Sequence, residues 1–138
     1  MKFKIIAGIG FIILVLIISC QSDEQIKFER YYTAGSLTYQ THCQNCHGAK
    51  GEGLNALIPP LTDPVFLKSN KSILACAVKY GFDKKISIAG KPFQEKMPAN
   101  DLPPIEIANV LTYVTNSFGN KMGTVDEQQV ENSLAKCK

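Results

Sequence analysis

No stretch of this chain alternates apolar and polar residues as a half-buried strand would, and no segment repeats. Barrels, sandwiches and repeat arrays are thereby excluded. Cys43 and Cys46 lack a second, similarly spaced pair of ligands, which a structural zinc site normally shows. A βαβ pattern beside them, expected for a thioredoxin-like dithiol, is also missing. The longest apolar run, residues 5–18, falls short of the roughly 20 residues needed to span a bilayer as a helix. Charge is nearly balanced, with 15 basic and 12 acidic residues, which points away from nucleic acid as a partner. With 138 residues the chain holds one domain plus appendages.

The first appendage is an export signal. Lys2 and Lys4 form a short basic start, the apolar run follows, and polar sequence begins after it. The junction "LIISCQSDEQ" resembles the lipobox of bacterial lipoproteins, with Ile17, Ile18 and Ser19 ahead of Cys20; Ile18 stands where a small residue is usual. The resemblance implies cleavage of residues 1–19 and acylation of Cys20, giving a stable membrane-lipid anchor. The mature protein is then expected to be exported and to face the periplasm, with outer-membrane or cell-surface sorting as variants. Residues 20–33 are polar and charged and read as a lipid-anchored tether.

The folded domain is expected over residues 34–122, followed by a helical tail over 123–138 packed on it. A first helix fits 34–46. Residues 48–70 carry glycines and prolines and read as a loop. A second helix fits 71–80, closed by Gly81. Pro103 and Pro104 open a third, whose apolar residues recur to position 118. In the tail, Thr124 and Glu127 match a capping box, and Val130, Leu134 and Cys137 share one face. An all-α domain with such long loops needs something central to organise them, and a bound cofactor would supply it.

Residues 41–53, "THCQNCHGAKGEG", carry the chemistry. Cys-x-x-Cys-His places two thiols for the vinyl groups of haem and an imidazole for its iron within one helical turn. Zinc would need further ligands, and adjacent Cys46 and His47 are awkward for tetrahedral binding. Export to an oxidising compartment agrees with covalent haem.

Three separated blocks now resemble a monohaem class I cytochrome c: Cys43-Gln-Asn-Cys46-His47-Gly48, the segment "KMPAN", and "LPPIEIANVLTYVTNSFGN". In the third, Pro103-Pro104 stands where the family usually has Ser/Thr-Asp. The resemblance implies three to five helices wrapped around one haem c, bound through Cys43 and Cys46, with N- and C-terminal helices crossing. His47 would be the proximal iron ligand. Among Met97, Met122 and His42, the family pattern singles out Met97 as the distal ligand; Met122 lies beyond the last clear helix, and His42 shares a short segment with His47. The Pro59 carbonyl would orient His47, with Pro60 as the alternative acceptor, and Leu61 would pack on the proximal face. Gly35, Tyr39 and Tyr113 match the helix crossing, and Val110 and Leu111 the core behind it.

Cys76 and Cys137 remain. In an exported protein two leftover thiols favour a disulfide over two buried free thiols. Seven lysines between positions 68 and 96, against Asp83 and Glu95, would steer an acidic redox partner if they surround the haem edge, or form an ordinary solvated face. The expected function is single-electron transfer between membrane-associated redox proteins, with no small-molecule substrate. Competing readings are a dedicated haem subunit of a terminal oxidase or dehydrogenase complex, and a haem peroxidase or gas-binding protein.

Overall fold

The computed structural model describes residues 22–137; the expected export signal and Cys20 lie outside the described residues. The first helix, α1 (Asp23–His42), starts on Ser22, whose side chain accepts the Gln25 N–H, and has Asp23 and Glu24 in its first turn. Both features favour a helix N-terminus. The sequence reading of residues 20–33 as a tether, with a helix only from 34, is therefore corrected: from Asp23 onward this segment is the first half of α1. Its polar composition misleads because only a narrow stripe is buried. Tyr31, Gly35 and Tyr39, spaced four apart, form that stripe. Lys27 also pairs with Asp126 at 3.3 Å.

α1 packs along α5 (Pro104–Val114), the central helix of the core. Pro104 occupies its first turn, and Ile107, Ala108 and Val110 are almost wholly buried. At the crossing, a Cβ on Gly35 would collide with the Asn109 carbonyl, so glycine is what allows the backbones to meet. Tyr39 and Tyr113 rings lie 5.3 Å apart beside that contact, and both touch Phe118. The expected crossing of N- and C-terminal helices is present.

Between them come α2 (Gln44–His47), α3 (Pro64–Ser69), a 3-10 turn (Lys71–Ile73) and α4 (Leu74–Tyr80). Residues 48–70 are thus not all loop. Asp63 caps α3 by accepting the Val65 and Phe66 N–H groups, and Pro64 fills its first position. The chain is also not strand-free: β1 (Ile86–Ile88) and β2 (Lys91–Phe93) form an antiparallel hairpin, burying Ile88 and Phe93.

The last helix, α6 (Glu127–Leu134), packs on α5 and α4. Its cap is Asp126, in a capping box with Gln129, rather than the expected Thr124 with Glu127. Thr112, buried in α5, donates to the Val125 carbonyl and accepts its N–H, both at 3.0 Å, which fixes where the tail can turn. A disulfide joins Cys76 on α4 to Cys137, with Cα atoms 5.7 Å apart.

Candidate cofactor site

Cys43, Cys46 and His47 come from a single helical turn placed at the C-terminal end of α1. The His47 N–H bonds the Cys43 carbonyl at 2.9 Å, closing that turn. The Tyr39 hydroxyl donates to the Gly48 carbonyl at 2.7 Å and ties the turn back to the core. Cys43 and Cys46 are not bonded to each other. Burial, with Cys46 adding, pushes the Cys43 thiol up to about 11, so it is protonated at neutral pH.

His47 is 9% exposed, and its Nδ1 lies 3.1 Å from the Pro59 carbonyl. Burial lowers its pKa below the usual histidine value, partly offset by that hydrogen bond. The ring is therefore neutral at pH 7. With Nδ1–H donated to Pro59, Nε2 keeps the free lone pair a metal needs. Pro59, not Pro60, is the acceptor.

The loop delivering Pro59 folds back at Gly53 (φ +69°), where a Cβ would collide with the Ile58 carbonyl. Glycine permits both the left-handed conformation and the close approach. The Gly53 N–H bonds the His47 carbonyl at 2.8 Å, and the Leu61 N–H bonds the Gly51 carbonyl at 2.7 Å.

Met97 is positioned differently. Phe82 and Met97 form a two-bond antiparallel bridge, at 3.0 and 2.8 Å. They face each other in the same register as Ile86–Phe93, so the arms of the hairpin separate and then rejoin at the methionine. Just before the bridge, a Cβ on Gly81 (φ +80°) would lie 2.6 Å from the Met97 carbonyl oxygen. Beyond it, the Asn100 N–H bonds the Val78 carbonyl at 3.0 Å, and Lys79 reaches Asp101 at 2.8 Å and the Leu102 carbonyl at 3.0 Å. The methionine segment is thus stitched to the end of α4.

Both thiols, His47 and Met97 line one cleft of roughly 1240 Å³, its open side included. Pro59, Pro60 and Leu61 contribute to it, as do Leu74, Val78 and Ile88, and Val110 and Leu111 of α5. Its charged lining residues, Lys84, Glu95 and Lys96, are all exposed. An apolar cleft with one neutral imidazole, one thioether and two thiols fits a haem, whose faces are apolar and whose iron takes nitrogen and sulfur. Among the described residues, no three His, Cys, Asp or Glu side chains converge as a separate metal site would require.

His42 is exposed at the end of α1, and half-buried Met122 packs against the core; neither lines the cleft. Of the lysines, Lys84 and Lys96 line the cleft while Lys79 is engaged with Asp101. Two contributors escaped the sequence reading. One is the hairpin, whose Ala89-Gly90 turn was the only local signal, with both residues at positive φ. The other is Asn120, which donates to the Leu61 carbonyl at 2.8 Å and carries no motif at all.

A family model described as Cytochrome c matches residues 32–118. Over 102 residues, 71% of the chain, the sequence is 30% identical to the cytochrome c subunit of alcohol dehydrogenase (quinone) from Gluconobacter oxydans (strain 621H). The chain spans about a fifth of that relative's length, 21%.

Proposed function

The chain belongs to the cytochrome c family, and from that premise we propose a lipid-anchored carrier of single electrons whose iron is ligated by His47 and Met97. Membership makes it an electron-transfer protein with covalent haem c, and Cys43 and Cys46 have the spacing of the attachment motif. The observation carrying the ligand assignment is that a neutral, hydrogen-bonded His47 and the Met97 side chain line the same apolar cleft.

Bound haem supplies an iron that gains and loses one electron. The residues around it decide how that iron behaves. The Met97 thioether favours the ferrous state and raises the potential. His47 and Met97, both holding the iron, would leave no coordination position for peroxide or oxygen. Apolar walls exclude water, and the Pro59 carbonyl orients His47 and makes it more basic.

The lipobox resemblance supports acylation of Cys20. Gln21 alone separates that cysteine from Ser22, the cap of α1. An acyl anchor there would tie the domain to a periplasm-facing membrane surface through the helix itself, with hardly any flexible tether. Exposed Lys84 and Lys96 beside the cleft favour an acidic redox partner. Similarity to a dehydrogenase subunit supports a second reading, in which the chain serves one membrane dehydrogenase rather than several partners.

Intact mass of the protein extracted from membranes tests the proposal: one haem and acyl groups on Cys20 are expected. A mass lacking acyl groups overturns the anchor. Copurification with a dehydrogenase in mild detergent, in fixed ratio, would decide for the dedicated subunit.

A further inference from the structure

Pro59 and Pro60 have no N–H, so within residues 59–61 only Leu61 can donate a backbone hydrogen bond. That N–H goes to Gly51, and the Leu61 carbonyl accepts from Asn120 Nδ2 at 2.8 Å. The second Nδ2 hydrogen goes to the Val114 carbonyl at 3.1 Å, in the last turn of α5. Asn120 is 6% exposed, and its Oδ1 has no protein partner, alone among buried side-chain N and O atoms of the described residues. The amide cannot be turned over, because Oδ1 would then face two carbonyl oxygens. Burying an unpartnered acceptor is costly, so packing alone would favour an apolar residue here. What asparagine adds is a two-pronged donor joining the proximal loop to α5.

We propose that Asn120 is a positioning residue for the proximal ligand: it clamps the Leu61 carbonyl so that the Pro59 carbonyl, two residues earlier, stays on His47 Nδ1. The inference rests on His47 being the iron's proximal ligand. Pro60 lies between the two carbonyls with its φ fixed, and it restricts Pro59 before it, so the link is stiff and displacement at Leu61 is passed to Pro59. A firmer Nδ1–H···O bond makes the imidazole more basic and favours ferric iron. Releasing the clamp weakens that bond and raises the reduction potential.

The test compares holoprotein carrying Asn120→Leu, Asn120→Ser or Asn116→Leu. Asn116 also braces two carbonyls, those of Thr112 in α5 and of Gly123 beyond it, but it makes no hydrogen bond to the proximal loop. In reduced Asn120→Leu, the His47 Nδ1–H followed by NMR should exchange with solvent roughly tenfold faster than in the parent protein, and the potential should rise. Asn120→Ser, with a single hydroxyl donor, should move both in the same direction by less. Asn116→Leu should lower thermal stability and move neither. If Asn120→Leu fails to accumulate with haem, Asn120→Ser decides. Parent-like exchange and potential in the Asn120 variants, or equal shifts in Asn116→Leu, overturn the clamp alone. A parent spectrum in which the His47 ring protons lack the shifts of an iron ligand overturns the ligand assignment and the clamp with it.

Discussion

The two walls that bring His47 and Met97 to the cleft are built on opposite plans. On the histidine side, the proposed ligand and its orienting carbonyl lie twelve residues apart, in a loop closed by Gly53 and stiffened by two prolines. His47 is buried there. On the methionine side, the proposed ligand arrives fifty residues later at the end of a hairpin, half-buried, held by one bridge to Phe82 and by stitches to α4. The first wall is local and redundant, because the thiols, the helical turn and Pro59 all constrain His47. The second depends on contacts far apart in sequence, each modest by itself. The difference teaches that, of the two proposed ligands, the methionine is the one the fold can lose while staying folded.

Matched glycine substitutions probe this most severely. Gly53→Ala and Gly81→Ala each force a left-handed residue to carry a Cβ against backbone, costing roughly 2–5 kcal/mol. Their consequences should differ. Gly53→Ala should displace the Pro59 carbonyl and sharply reduce the yield of holoprotein. Gly81→Ala should still bind haem but lose Met97 from iron, seen as carbon monoxide binding by the reduced protein. Equal yield and equal spectra would erase the distinction.

The disulfide comes next in size. Cys76 sits on the helix whose far end holds Gly81 and the methionine segment. Cys76→Ser with Cys137→Ser should lower stability by about 2–4 kcal/mol, measured by denaturant unfolding. The weakening should appear first as faster amide exchange at Asn100, whose N–H bonds Val78, and not at Gly53.

The smallest effect lies outside both walls, at the Asp126 cap. Asp126→Ala should cost about 1 kcal/mol of stability, leaving the spectrum unchanged. The carboxyl is held below its usual value chiefly by the Gln129 N–H, with Lys27 adding. Its folded pKa is depressed, so its contribution is complete above about pH 3.9 and is lost as pH falls through the lower folded value. Acid titration of the variant should lack that component.

Legibility in the sequence followed the same division. Cys43, Cys46 and His47 could be read because their spacing is local and each residue type has a chemical reason to be there, whereas Pro59 was reached through the family resemblance, with Pro60 as its alternative. Helix α5 showed its period, and the cysteines left over formed the bond expected of them. The hairpin was hidden because strands of three residues are too short to display alternation, even though their register places Met97. The first half of α1 was hidden because Tyr31 is its single buried residue. Asn120 acts through two carbonyls, and a carbonyl leaves no mark in a sequence. Asp63-Pro64 and Asp126 with Gln129 were readable cap signals that competing assignments obscured.

The central claim is that His47 and Met97 close the iron between them. It is tested most directly by the absorption spectrum of the purified protein, oxidised and then reduced with and without carbon monoxide. The account predicts the weak sulfur-to-iron charge-transfer band in the oxidised form, its loss in Met97→Ala but not in Met122→Ala, and no carbon monoxide adduct in the parent at neutral pH. Rapid formation of that adduct by the parent protein would contradict it.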